Sequence, residues 1–353
     1  MEYPKFKVCC RCFTFNHSKY ITDAMNGFTM QQTSFPFVCC IVDDASTDGE
    51  QEVIRKYVEE NFDFSEGSVA YHKETDYAHI TYAQHKTNKN CYFAVLYLKE
   101  NHYSKKKPKL PYLEEWQKDV EYGAFCEGDD YWIVADKLAK QVKCLDENMS
   151  VGLCYTNFNI LYQNSGRFVY NLAKTNPTRY PMVYSSLKSY IRSRGYVCPP
   201  SWVYRIRLLD DYEPIKDACD GTYCLFSHFM SNSNVKYISY ITTVYRVLPN
   251  SASHSTNANI KLKRERDLYN LQLDLMAKYG YYQEEKDYCK HLFLKSNIVL
   301  FSENNWKDEI SNCMAELSDL SIKEKMILVL GMSKTGSKVI KLLHKLWCVL
   351  KGY

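Results

Sequence analysis

Through the first 150 residues, short apolar runs alternate with amphipathic stretches. Lys7 to Phe15 is mostly apolar and closes on Asn16-His17-Ser18, which predicts a strand ending in a turn. In Lys19 to Met30 the residues Ile21, Ala24, Met25 and Phe28 recur at helical spacing. Phe35 to Val42 predicts a second strand. Ala45-Ser46-Thr47-Asp48-Gly49 then reads as a turn, with Ser46 to Asp48 as caps for a helix over Glu50 to Glu60. Ser68 to His72 predicts a short strand, Asn90 to Asn101 a helix and Glu121 to Cys126 a further strand. Asp136 to Glu147 predicts a helix, with Leu138, Val142 and Leu145 spaced four and three apart. Strands alternating with helices imply an α/β fold with a mixed, mostly parallel sheet flanked by helices. In such sheets ligands sit beyond the carboxyl ends of the strands.

From Val151 the texture changes. Val151 to Tyr162 and Val235 to Leu248 predict strands, joined by connections rich in Tyr, Ser and Pro. From Ile260 the chain reads as helical, with Leu268, Leu271 and Leu275 on one face of Ile260 to Lys278. The expected organisation is a first half over residues 1–150, a second half of the same domain over 151–255, and a helical extension over 256–353. Residues 333–353 set five lysines (Lys334, Lys338, Lys341, Lys345, Lys351) among Val339, Ile340, Leu342, Leu343, Leu346, Trp347 and Leu350. That pattern has two readings, a peripheral membrane contact or a helix docked on the domain with a solvated lysine face.

Composition narrows the picture. Of 353 residues, 46% are hydrophobic, enough for a sizeable core and against disorder. A net charge of +4 is too small to argue for nucleic acid. The 31 tyrosines suit stacking on sugars or bases as well as ordinary core. The 15 cysteines have no paired CxxC at zinc spacing, and several lie inside apolar runs. They read as reduced, buried small hydrophobes of a cytoplasmic protein. The amino terminus lacks a signal-peptide core, and no run reaches the roughly 18–20 apolar residues of a membrane span.

Two acidic doublets carry the chemistry. Asp43-Asp44 ends one apolar run and Glu127-Gly128-Asp129-Asp130-Tyr131-Trp132 follows another. Adjacent carboxylates repel and call for a cation. A hard divalent ion with oxygen ligands, Mg²⁺ or Mn²⁺, answers that need and brings a phosphate as a further ligand.

The order Thr14-Phe15-Asn16-His17, Val42-Asp43-Asp44-Ala45-Ser46-Thr47-Asp48-Gly49, Glu127-Gly128-Asp129-Asp130-Tyr131-Trp132 and Lys137-Leu138-x-x-Gln141 resembles the family-2 glycosyltransferases with the GT-A fold, of the bacterial surface-polysaccharide type. The resemblance covers residues 5 to 150 strongly and 151 to 255 more weakly, and is absent after about 260. It implies a nucleotide-sugar donor, a glycan or lipid-linked glycan acceptor, and inverting transfer at the cytoplasmic side. UDP is the implied nucleotide, with GDP and dTDP left open. Asp129 and Asp130 match the Asp-x-Asp metal motif, which here opens with Glu127; one would hold Mn²⁺ or Mg²⁺ and the other the ribose. Asp44 matches the carboxylate that reads the base, and Asp43 is either a further nucleotide contact or a buttress of its loop. Phe13, Thr14 and Asn16 would wrap base and ribose, Phe13 replacing a residue that is often small and polar. Asp220 matches the general base, with Asp217 second and Asp210-Asp211 third; its other reading is a helix N-cap. His254 matches a late histidine that completes some metal sites, and Arg246 a pyrophosphate contact or a structural arginine. Lys86, Asn88, Lys89 and Asn90 fall where the family meets ribose or phosphate.

Two other classes compete. A sugar-activating nucleotidyltransferase would open on a Gly-rich loop, but residues 5 to 16 contain no glycine. A non-catalytic carbohydrate-binding or scaffold protein on the same fold would tolerate loss of the acidic pairs, which are present.

Overall fold

The structure is a computed structural model that describes residues 3–177, 181–248, 255 and 257–351. Its frame is an 11-stranded sheet. In chain order the strands are β1 (Val8–Thr14), β2 (Phe37–Asp43), β3 (Tyr71–Glu74), β4 (Ala78–Gln84), β5 (Cys91–Leu98), β6 (Tyr122–Phe125), β7 (Tyr131–Trp132), β8 (Val151–Tyr162), β9 (Arg167–Val169), β10 (Val203–Arg205) and β11 (Asn234–Val247). They lie side by side as β3-β4-β5-β2-β1-β6-β10-β8-β11-β7, with β9 paired to β8. The neighbours β5, β2, β1 and β6 run parallel. β8 and β11 form a second parallel pair, and β10 joins the two groups by antiparallel ladders.

Strand periodicity sorts the core. Cys10, Cys12, Cys39 and Cys91 face α1 (Ile21–Thr29), α2 (Glu50–Asn61) and the later helix Lys137–Asp146. Cys9 and Cys40 point to the other face, toward Leu113, Trp116 and Val120. Successive strand residues alternate faces, so the cysteine doublets split between two layers. All 15 cysteines are free, and 13 of them are buried, as a small apolar filler would be. β8 and β10 pack Leu153, Tyr155 and Tyr204, with Trp202 just before β10, against the helices Gly221–Asn232 and Ala258–Lys278.

Residues 90–101 correct an expectation. They contain β5, not a helix, and all eight of its residues are buried. A strand covered on both faces shows an unbroken apolar run, which period alone does not distinguish from a buried helix; its eight-residue length and aromatic and branched content fit a strand. The short strand expected at Ser68–His72 falls slightly later, at β3, and pairs with β4 in a hairpin.

One polar tie locks the helix Lys137–Asp146 to β8 and to the turn before β10. Gln141 is buried, and its Nε2 donates to the carbonyls of Cys154 in β8 (2.8 Å) and Ser201 (2.9 Å). Removing a buried donor leaves carbonyls unsatisfied. Gln141→Leu is therefore expected to lower stability by about 2–3 kcal/mol in urea denaturation, whereas exposed Lys143→Ala should change it by less than about 0.5 kcal/mol.

Candidate functional site

Two loops leave adjacent parallel strands at their carboxyl ends and are laced together. Asn16 has a positive φ of 59°, tolerable for Asn. This turns its amide to donate to Ser46 Oγ (2.9 Å), while its Oδ1 accepts from Thr47 N (2.8 Å). Ser18 N donates to Asp48 Oδ2 (2.9 Å). At the centre the buried carboxylate of Glu50 accepts from Thr14 Oγ1, from His17 N (2.8 Å) and from Ser46 Oγ (2.9 Å). Burial raises the pKa of Glu50, and these donors oppose that shift. Three donors on one dry carboxylate fix the loop geometry.

The acidic turn is placed by backbone pairing that outruns the strands. Past the β1–β6 ladder, Cys126 N donates to Arg11 O (3.1 Å) and Gly128 N to Phe13 O (3.2 Å). A Cβ on Gly128 would overlap Thr14 Oγ1, so glycine is what lets the turn lie against β1. Asp129 then sits with its Oδ2 3.9 Å from His17 Nε2. Asp130 points inward, 3% exposed, and its Oδ1 accepts from the backbone amide of Arg246 in β11 (2.8 Å). The Arg246 guanidinium donates to Asp129 O (3.0 Å) and to Asp23 Oδ2 (2.7 Å), and lies over the rings of Tyr20 and Tyr131. Arg246 is thus the clamp that draws the far strand of the sheet onto the turn.

The electrostatics are those of closely spaced like charges. Burial, then the charge of Asp129, raises the Asp130 carboxyl well above the ordinary carboxylate range. Glu127 is raised to about 8 by desolvation and by Asp129. Its side chain reaches solvent, which damps the desolvation part of that shift. Among the described residues no three His, Cys, Asp or Glu side chains converge as a ready-made metal site. Mg²⁺-type ions keep waters and bind one or two carboxylates together with substrate phosphates. Asp129 and Asp130, oxygen donors under mutual repulsion, fit that mode.

No family model matches the sequence. The uncharacterized proteins Mb1547 of Mycobacterium bovis and Rv1520 of Mycobacterium tuberculosis are each 28% identical over 154 residues, 44% of this chain. The match spans only 36% of the length of these curated relatives. Among solved structures, S. aureus TarS 1-349 in complex with UDP-GlcNAc superposes at a TM-score of 0.52 with 17% identity, covering 96% of this chain and 92% of that one. The mannosyltransferase PcManGT from Pyrobaculum calidifontis, in complex with GDP-Man and Mn²⁺, gives 0.50 with 13% identity, covering 96% and 84%. The chain has the GT-A fold. Identities this low establish the architecture and nothing finer.

The GT-A frame places the expected residues as follows. Phe13, Thr14, Asn16, Asp43, Asp44 and Asp129 all gather at the carboxyl edge of β1, β2 and β6. Thr14 and Asn16 are engaged in the loop lacing just described. Asp43 is buried, its Oδ1 accepting from Ser46 N (3.1 Å) and Gln51 Nε2 (2.6 Å) and its Oδ2 unpartnered. Asp44 is 1% exposed and accepts three bonds: from His102 N (2.7 Å), Tyr103 N (3.0 Å) and Lys109 Nζ (2.9 Å). The same ammonium lies 5.0 Å from the centre of the Phe13 ring. Its neighbour Lys106 reaches Asp217 (3.2 Å), so this basic loop links Asp44 to the segment before Asp220. His17, Glu50, His102 and Lys109 were not singled out from sequence. His17 and Glu50 lie within or beside the motifs, Lys109 stands out only as part of the basic run 105–109, and nothing local marks His102.

Asp220 is the N-cap of the helix Gly221–Asn232, its Oδ1 accepting from Tyr223 N (3.0 Å) and Thr222 Oγ1 (2.8 Å). Both bonds fall on one oxygen, leaving Oδ2 for other work. Asp210 follows a turn whose first residue, Ile206, bonds Glu121 at the amino end of β6, away from the acidic turn. Asn88 and Asn90 also fall at the wrong edge. They precede β5, and their side-chain amides donate to the carbonyls of Thr29, Gln31 and Thr33, closing the α1–β2 connection. The resemblance implied a ribose or phosphate contact here, and the α1–β2 closure takes these two amides instead. His254 lies outside the described residues.

Two measurements test this geometry. Asp44→Ala removes the acceptor that ties down residues 102–109 and should speed trypsin cleavage after Lys105 and Lys106 about tenfold or more, with the rest of the chain protected. The raised folded-state pKa of Asp130 means the unfolded chain holds fewer protons than the folded one between the ordinary carboxylate range and the folded value. Stability therefore falls as pH rises through that window. Asp130→Asn keeps an oxygen for the Arg246 amide and should raise the melting temperature in metal-free buffer at neutral pH, with the gain vanishing near pH 4.

Proposed function

We propose that this protein is a metal-dependent, inverting glycosyltransferase that moves a sugar from a nucleotide diphosphate to a hydroxyl of a glycan or lipid-linked glycan in surface polysaccharide synthesis. The observation that carries the reading is the meeting of both acidic motifs at one sheet edge on a GT-A fold, with Gly128 seated on Thr14. The nucleotides in the two similar structures, UDP-GlcNAc and GDP-Man, and the Mn²⁺ beside the latter, support a nucleotide-sugar donor and a divalent ion. A UDP-sugar is our first choice.

In this scheme Asp129 and Asp130 hold Mn²⁺ or Mg²⁺. The ion supplies charge neutralisation for the departing diphosphate when bound. Arg246 keeps the turn from springing open before that charge arrives. Phe13 and Asp44 form the base end of the cleft, and Lys109 between them is a donor for base carbonyls as well as a partner for Asp44. Asp220 takes the proton of the acceptor hydroxyl on Oδ2 while Oδ1 caps its helix, which holds the carboxylate in one rotamer.

The experiment is a thermal-shift screen of UDP, GDP and dTDP with and without Mn²⁺, followed by release of nucleotide diphosphate from the matching donor. A nucleotide plus Mn²⁺ is expected to raise the melting temperature by about 5 °C. Asp129→Ala should abolish that shift, and Asp220→Asn should leave the shift but cut turnover about a thousandfold. If no nucleotide diphosphate shifts the wild type, the non-catalytic carbohydrate-binding reading takes its place.

A further inference from the structure

The two carboxy-terminal helices present an apolar surface that the fold does not cover. The helix Lys334–Lys351 is docked by one narrow side. Ile340 and Ser337 are buried, and Ser337 Oγ donates to Gly331 O (3.0 Å). His344 meets Glu303 (2.7 Å). Gly336 lies so close to Leu330 O that a Cβ would overlap it. The opposite side carries Val339, Leu342, Leu343, Leu346 and Trp347, of which Leu342 and Leu343 are each 59% exposed and Trp347 52%. The preceding helix Ile322–Gly331 packs against it and adds its own exposed row, Ile322 at 80%, with Met326 and Val329 at 60% and 64%. An uncovered patch of this kind marks an interaction surface.

Charge says what kind. At about 100° per residue, Lys334, Lys338, Lys341 and Lys345 fall within one sector of roughly 60°, alongside the sector of the apolar row. All four are exposed. Lys334–Lys351 contains no Asp or Glu. Lysine is depleted at protein–protein interfaces, where each would need its own carboxylate. A one-sided lysine row beside an apolar row matches a surface that is uniformly negative and has an apolar interior just beneath. Among the described residues no helix is long and apolar enough to cross a membrane, so the contact is with the surface.

We propose that the paired helices Ile322–Gly331 and Lys334–Lys351 form a docking face for an anionic lipid bilayer, with Leu342, Leu343, Leu346 and Trp347 entering the headgroup layer and Lys334, Lys338, Lys341 and Lys345 bound to lipid phosphates. The inference does not depend on the glycosyltransferase reading. Either can fail without the other.

The test is flotation of the full chain with vesicles of phosphatidylcholine alone or mixed with phosphatidylglycerol. The protein is expected to float with the mixed vesicles, far less with phosphatidylcholine, and to be released in part by high salt. The triple variant Lys338→Glu, Lys341→Glu, Lys345→Glu should reduce partitioning roughly a hundredfold or more, and Leu342→Ser with Leu343→Ser roughly tenfold or more. These side chains are exposed, so an unchanged melting temperature will show that the variants fold. Trp116, Trp132 and Trp202 are buried, so a blue shift on vesicle binding that disappears in Trp347→Phe reports entry of this face. Absence of flotation with anionic vesicles overturns the proposal, as does binding that survives both sets of substitutions. A concentration-dependent oligomer dissolved by Leu342→Ser, without vesicle binding, would assign the face to a second copy of the chain instead.

Discussion

Repulsion between Asp129 and Asp130 has to be held in check at the edge of the sheet, and the clamp comes from 116 residues further along the chain. Arg246 donates its backbone amide to Asp130 and its guanidinium to the Asp129 carbonyl and to Asp23. The restraint spans β11, the acidic turn and the first helix. None of those pieces is near the others in sequence. A turn carrying two like charges would otherwise splay into water, where its carboxylates could not meet one ligand. With the clamp, the two charges are held side by side at the sheet edge.

The same logic runs through the neighbouring loops. Parallel strands end together, so the turns after β1, β2 and β6 share one edge. Glu50 gathers three donors from two of those turns, and Asp44 gathers three from the basic loop that follows β5. Each carboxylate is buried, and each is satisfied by hydrogen bonds instead of water. This edge is therefore built mainly from anions that hold their own backbone. Asp129, partly exposed beside His17, and the exposed Glu127 are the acids of this turn that face outward.

The carboxy-terminal helices belong to a different physical regime. Their inner side closes a small cluster around Phe293, Phe301, Ile310 and Leu328. Their outer side keeps a row of leucines in water, at a cost the fold itself does not recover. A packed GT-A body and an apolar, basic face on the same chain give one molecule two kinds of surface.

Much of this was legible in the sequence, because its elements are defined by short-range periodicity. β1, β2, β6, β8, β11 and the helices Glu50–Asn61, Lys137–Asp146 and Ala258–Lys278 follow from runs and repeats that each element carries within itself. The two acidic motifs stand out in the sequence because adjacent carboxylates repel and each pair must find partners. β5 was misread as a helix because burial on both faces erases the alternation that marks a strand. Asn88 and Asn90, matched to the family by position alone, lie at the amino end of that strand. What the sequence could not carry was who satisfies whom: that Lys109 and two backbone amides take Asp44, that Asp220 spends one oxygen on a cap, that Arg246 closes on the acidic turn, and that a docked helix leaves its leucine row outside. Local pattern determines the elements, since neighbours along the chain set backbone conformation. Only the packed sheet decides which distant donors find which buried charge, because that pairing depends on strand order and register, and a linear pattern specifies neither.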